Sequence, residues 1–413
     1  MRGAVLRFAT SLVANPMLLA YVDVGYYYQI TKACNMLRKL TVHGFKSIER
    51  QTIALGALNV LIGANGSGKS NLLGALSFFK ESALGNRDIL VKRFGGADRL
   101  LYHGKKTTKA CFFACESDDF TYEQTLIPVA GDRLEIAKEG LAVLGSALAW
   151  SEGGADIDNL EAQFRAEEIQ YLKQAVAQGE LTEAEAEAQR HALPSAKRHI
   201  EGWRRYHLHD TSATAAVKAT CNIDDNRYLR EDASNLAAYL YWLKLKHAVE
   251  YRRVVSTIQL AAPYFDDFVL EPLRRNEQTI RLEWKQKNSD AYFDADSLSD
   301  GTLRFVCLTT LLNQPRSAMP SLIIVDEPEL GLHPLAIRLL AEMLDAASEH
   351  TQILLATQSV TLLDNFPIEQ VIVADHDGRG SLFQRLKADD YRLWLENFSV
   401  GELWEKNVFG GRP

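Results

Sequence analysis

Hydrophobic residues in this chain fall into unbroken runs and helically spaced sets, and their order outlines an architecture. Leu58-Asn59-Val60-Leu61-Ile62, Ser321-Leu322-Ile323-Ile324-Val325 and Gln352-Ile353-Leu354-Leu355-Ala356 are nearly continuous apolar runs. Such runs suit strands of a parallel sheet covered on both faces. Further β-like runs occupy 40–45, 110–116 and 121–128. Near Asp156 the spacing becomes helical, with Leu160, Phe164, Ile169, Leu172 and Val176 recurring until Gly179 breaks the run. Thr182-x-x-Glu185 then forms a capping box before an Ala/Glu-rich helix that stops at Pro194. Another helix starts near Ser234-Asn235 and carries Leu236, Tyr239, Leu240 and Leu243. Ile337, Leu340, Met343 and Leu344 give the helix after Pro334 its buried face. The pattern predicts an N-terminal extension (1–35), an α/β lobe (36–154), a helical insertion (155–260) free to meet a partner, and a second α/β lobe (261–413). The fold class is α/β, with a mixed or parallel sheet and helices on both faces.

Two of the apolar runs end in chemistry. Gly63-Ala64-Asn65-Gly66-Ser67-Gly68-Lys69-Ser70 follows 58–62 and precedes a helical pattern over 71–80. It matches G-x-x-x-x-G-K-[ST] in the strand-to-helix context which that motif requires. Glycines let the backbone wrap closely around a phosphate chain, and the helix start faces the anion. Gly63 to Gly68, together with Asn71, are therefore expected to cradle ATP. Lys69 should reach the β- and γ-phosphates, and the Ser70 hydroxyl should ligate Mg²⁺. The run 321–325 ends in Asp326-Glu327, at the strand end where open α/β sheets hold ligands. Asp326 is expected to hold the metal, through water. Glu327 is the candidate base for the attacking water, a role worth about 10²–10⁴ in rate.

Two weaker motifs gain meaning from their position. Leu298-Ser299-Asp300-Gly301-Thr302 alone reads as a turn, and Ala356-Thr357-Gln358-Ser359 as a strand end. In this order the motifs resemble those of the ABC-type "AAA family" ATPases related to the RecF, SMC and OLD proteins of DNA repair and phage defence. The similarity runs from about Met36 to Pro413. It includes Leu40-Thr41-Val42-His43-Gly44-Phe45-Lys46-Ser47-Ile48, Asp326-Glu327-Pro328-Glu329-Leu330-Gly331-Leu332-His333-Pro334 and Gly401-Glu402-Leu403-Trp404.

The resemblance implies a P-loop NTPase fold of ABC-ATPase head type. It further implies that Ser299 and Gly301, at a helix N-terminus, grip the γ-phosphate bound to the other subunit. Gln358 takes the switch position, usually His, as a neutral amide able to orient water. ATP would then close a homodimer, and hydrolysis would release it. The implied role is DNA-linked, in repair or in defence through a separately encoded nuclease or effector. The rival is an ATP-gated scaffold that restrains a partner nuclease or toxin without binding DNA. The glutamine of the family's Q-loop has no convincing position, and Gln124 is a candidate without supporting context. Departures narrow the reading: no sustained heptads separate the phosphate loop from Ser299, and the stretch after Ser359 is too short for a Toprim nuclease domain.

Composition changes this picture little. At 413 residues, 47% hydrophobic and 24% charged, the chain can build a large core. A net charge of −7 does not advertise nucleic acid. The basic pairs Arg38-Lys39, Lys92-Arg93, Lys105-Lys106, Arg204-Arg205, Arg252-Arg253 and Arg274-Arg275 read as solvated faces. Five scattered cysteines argue against a disulfide framework and for the cytoplasm. Cys111 and Cys115 flank Phe112-Phe113-Ala114 in a buried strand rather than a zinc site. His207 and His209 could share one face of a strand and read as structural. The charge-free stretch 8–22, interrupted by Asn15 and Pro16, is short for a membrane span, so no membrane is expected.

Overall fold

A computed structural model describes residues 36–143, 148–152 and 196–411, with isolated positions between 157 and 182. Contacts divide the chain into Met1–Asn35 with Ile169–Leu193, and Met36–Glu168 with Pro194–Pro413. All that follows lies in the second unit. It opens with β1 (Leu37–Phe45), β2 (Ile48–Ala54) and β3 (Leu58–Ile62), then the helix Lys69–Ala83. Four strands follow: β4 (Cys111–Ser117), β5 (Phe120–Val129), β6 (Arg133–Val143) and β7 (Leu148–Glu152). β8 (Trp203–Tyr206) and β9 (Cys221–Asn222) precede the helices Leu236–Lys246 and Ala248–Ala261. Next come β10 (Phe265–Val269), β11 (Thr279–Ile280), β12 (Glu283–Gln286), β13 (Tyr292–Asp294) and the helix Asp300–Leu312. The chain then alternates through β14 (Leu322–Asp326), the helix Pro334–Ser348, β15 (Gln352–Ala356), β16 (Val371–His376) and β17 (Ser381–Arg385).

Two six-stranded sheets result. One has the order β17-β16-β3-β15-β14-β8, parallel except for the edge strand β17. The other, β2-β1-β4-β5-β6-β7, is antiparallel throughout. β3 and β15 are buried along their whole length, which is why they read as unbroken apolar runs. Leu58, Val60, Ile62, Ile323, Val325, Ile353 and Leu355 join one core with the helices that follow β9, β13 and β14. The helix Lys69–Ala83 is buried on nearly all sides because it lies between the sheets. Its Phe79 stacks on Phe113 and Tyr122 of the antiparallel sheet and meets Trp203 of β8, while Phe78 packs on Phe45. The Gln352 amide couples the sheets: it accepts from Leu37 N at 3.0 Å and donates to the Leu37 and Gly56 carbonyls at 2.7 Å each.

The expected strands at 40–45, 58–62, 110–116 and 121–128 and the helix after Pro334 are present. The helix expected near Ser234-Asn235 runs from Leu236 with Asn235 as its N-cap. The insertion expected over 155–260 needs correction. β8 pairs in parallel with β14 inside the central sheet, and Leu236, Tyr239, Leu240, Leu243, Val254 and Ile258 belong to the main core. A four-residue strand carrying two arginines leaves no apolar run, so its place in the sheet was not visible in the pattern. Glu185 of the expected capping box Thr182-x-x-Glu185 and the helix ending at Pro194 lie outside the described residues. Cys111 and Cys115 are buried in β4, where burial pushes the Cys111 thiol up to about 12 and raises Cys115 further.

Candidate nucleotide-binding site

Four parallel strands end at the same edge of the mixed sheet, in the order β3, β15, β14, β8. The loop after each contributes to one cavity of about 340 Å³. Its lining is Ala64, Asn65, Gly66, Gly68, Lys69, Ser70 and Asn71 after β3, Gln358 after β15, Asp326 and Glu327 at the end of β14, and His209 after β8. Gly63 and Ser67 are buried beneath the loop and do not line the cavity. Gly68 is a position where glycine is required. It has φ +104°, and a Cβ there would stand 2.0 Å from the Ser381 hydroxyl of β17.

Lys69 begins the helix and is nearly buried, donating to the Gly63 and Ala64 carbonyls at 2.5 and 3.1 Å. Burial lowers its pKa, and the carboxylates of Glu327 and Asp326 oppose that shift. Asn71 donates to the Ser47 hydroxyl at 2.7 Å, which ties the loop to the β1–β2 turn. Glu327 holds a left-handed backbone, φ +43°, unusual for a residue with a Cβ. The conformation is braced by Glu327 N donating to the Ala356 carbonyl at 2.7 Å. The Gln358 amide donates to Glu327 Oε1 at 2.6 Å and to Asn65 Oδ1 at 3.0 Å. It therefore bridges the acid and the phosphate loop. Two residues further on, Glu329 is buried and accepts from the Thr357 hydroxyl at 2.5 Å.

Arg205 of β8 and His209 in the loop after it depart from expectation. Arg205 is not a solvated surface charge: its guanidinium lies 3.6 Å from Asp326, and both side chains are about four-fifths covered. His209 lines the cavity, and His207 does not share its environment. β8 ends at Tyr206, so the two-residue periodicity is lost, and His207 faces a separate cavity with Lys80, Arg204 and Glu231. Arginines read in a pair, or histidines read in isolation, carry no signal of what the neighbouring strand presents.

Ser299 caps the helix Asp300–Leu312, accepting from Thr302 N at 3.2 Å, and is exposed outside this cavity. Gly301 sits against the turn after β14, where a Cβ would stand 2.1 Å from the Gly331 carbonyl. Arg304 of the same helix is buried. It donates to the Leu330 carbonyl, to Leu208 O at 2.9 Å and to His209 O at 3.1 Å. Gln124 lies within the antiparallel sheet, donating to Tyr122 and Glu139, and does not reach the cavity. Among the described residues no group of three or more His, Cys, Asp or Glu could hold a metal, and no helix is long and apolar enough to cross a membrane.

Residues 154–364, half of the chain, match the family described as "AAA domain, putative AbiEii toxin, Type IV TA system". The chain belongs to this AAA family. Residues 36–130 of this AAA protein also match a family described as "AAA ATPase domain". An uncharacterized protein of Methanocaldococcus jannaschii is 36% identical over 104 residues, 25% of this chain and 30% of its own length. The DNA double-strand break repair Rad50 ATPase of Sulfolobus acidocaldarius is 30% identical over 109 residues, 25% of this chain and 11% of its own length. This chain thus spans less than a third of either relative. The solved SMC head bound to the C-winged helix domain of ScpA shares the fold, with a TM-score of 0.50 at 14% identity over 87% of this chain and 99% of that one. The family match establishes an AAA domain, and the likeness to the SMC head establishes the fold alone.

Proposed function

We propose that this AAA ATPase is a switch in which two copies close around Mg²⁺-ATP and act on DNA, in repair or in defence against foreign DNA. The observation that carries the reading is the convergence of Lys69, Ser70, Asp326, Glu327 and Gln358 on one cavity, while Ser299 is presented elsewhere on the surface. Lys69 and the loop N–H groups hold the β- and γ-phosphates. Ser70 and Asp326 are oxygen donors facing the same space, which suits a hard cation that keeps several waters. Bound there, Mg²⁺ would neutralise charge on the β- and γ-phosphates. Glu327, oriented by Gln358, takes a proton from the attacking water. The new P–O bond forms as the bond to the bridging oxygen breaks, and its electron pair leaves with ADP. Ser299 and Gly301 of the second copy complete the γ-phosphate site.

The Rad50 relative supports the DNA role. Arg252, Arg253, Arg274 and Arg275 are exposed and available to phosphates, whereas Arg38, Lys39 and Lys105 face Asp118, Glu116 and Asp132. The toxin–antitoxin wording of the family description favours a second reading, a scaffold gating a partner nuclease or toxin. Cys111, Cys115, Cys221 and Cys307 as free thiols fit action in the cytoplasm.

Glu327→Gln protein tests both parts. It should bind ATP and turn it over roughly 10²-fold more slowly than wild type, while Lys69→Ala should lose ATP binding. Unchanged turnover in Glu327→Gln removes Glu327 as the base. The same variant with ATP should raise the anisotropy of a labelled DNA duplex, with affinity falling as salt rises because bound counterions are released. No binding at low salt favours the scaffold.

A further inference from the structure

We propose that His209 touches the γ-phosphate of bound ATP, donating a hydrogen bond to it from the subunit that also supplies the phosphate loop. The inference rests on the site being an ATPase site and adds a contact that the motifs do not supply.

The argument begins with strand order. At the carboxyl edge of the sheet, β15 and β14 stand between β3 and β8. The phosphate loop and His209 therefore flank Gln358, Asp326 and Glu327 from opposite sides. A triphosphate anchored on Lys69 and the loop runs toward the two carboxylates, because metal and water chemistry happen at its γ end. His209 meets that end and not the base.

The backbone supports a fixed contact. The Leu208 and His209 carbonyls are both held by the buried Arg304 guanidinium, whose third link is to Leu330 in the turn after Glu327. The Cα of His209 is therefore positioned by the group that also positions the acid's own loop. The ring, by contrast, has no hydrogen bond or ion pair among the described residues, and the residue is exposed toward the cavity. A neutral imidazole offers one N–H donor. A donor aimed where negative charge develops accelerates phosphoryl transfer and leaves diphosphate binding untouched.

The test uses full-length protein with His209→Ala and His209→Gln. Turnover is measured under saturating Mg²⁺-ATP, and ATP and ADP affinities by a fluorescent nucleotide competition assay. His209→Ala should lower kcat by roughly 10–10²-fold and bring ATP affinity closer to ADP affinity, with the thermal midpoint unchanged. His209→Gln, an amide donor of similar reach, should recover most of both. A purely structural histidine would instead weaken ATP and ADP equally and lower the thermal midpoint, and that result overturns the proposal. So does a His209→Ala protein with wild-type turnover and wild-type ATP-to-ADP discrimination. Wild-type protein without any ATP turnover defeats the ATPase reading itself, and the affinity ratio then still judges the contact.

Discussion

Glu329 shows how a single side chain can report on the site's interior. Burial holds its carboxyl above the ordinary glutamate range, and the Thr357 hydroxyl that donates to it offsets only part of that shift. The folded protein therefore binds this proton more tightly than the unfolded chain does. The corresponding stability is present below the ordinary glutamate pKa of about 4.3 and is lost as pH rises through the raised, folded-state value. Glu329→Gln should keep the Thr357 contact and flatten this dependence, giving urea midpoints that fall less from acid to neutral pH than those of wild type. Parallel curves for the two proteins would mean that Glu329 ionises as freely in the fold as outside it. Glu327 lives under a different constraint: its left-handed backbone aims the carboxylate at Gln358 and the cavity, so geometry there is set by strand-end strain as much as by side-chain choice.

At the scale of elements, the helix Asp300–Leu312 links the exposed cap Ser299 to the site. Gly301 lets its first turn approach the Gly331 carbonyl, and Arg304 then joins Leu208, His209 and Leu330. On an isolated exposed helix, Gly→Ala would stabilise by up to about 1 kcal/mol. Here the Cβ would meet backbone oxygen at 2.1 Å, and a carbonyl cannot swing aside as a flexible side-chain tip can. Gly301→Ala should therefore destabilise by about 1–3 kcal/mol, read from urea unfolding, and should reduce ATP turnover with it. A more stable variant would show that the helix and the turn are not in register.

For the whole molecule, the proposed two-copy site turns on Ser299, which is exposed and does not line its own chain's cavity. If Ser299 serves the neighbour's nucleotide, Glu327→Gln protein should become dimeric by light scattering with saturating ATP and Mg²⁺. Ser299→Arg introduced into that background should keep ATP binding and remain monomeric. A monomer in the first case ends the sandwich reading. The dimer would also bring two copies of the exposed Arg252-Arg253 and Arg274-Arg275 pairs into one assembly, offsetting for a nucleic acid the overall charge of −7.

Contiguous features were legible in the amino-acid order. The phosphate loop, the Asp326-Glu327 strand end and the buried strands β3, β14 and β15 each depend on neighbours along the chain, so backbone freedom and hydrophobic run length reveal them. The helix faces at 236–243 and 337–344 were legible for the same reason, since helical spacing is local. The contacts of β8 were not. Trp203–Tyr206 has no apolar run, and its parallel pairing with β14 spans a stretch of chain that holds β9 to β13 and three α-helices, so only the assembled sheet shows it as a strand of the core. That pairing sets Arg205 against Asp326 and carries His209 to the cavity. Likewise, Arg304 finds three carbonyls from two distant loops. Local sequence specifies which groups can do the chemistry; strand order, a property of long-range pairing, decides which of them meet.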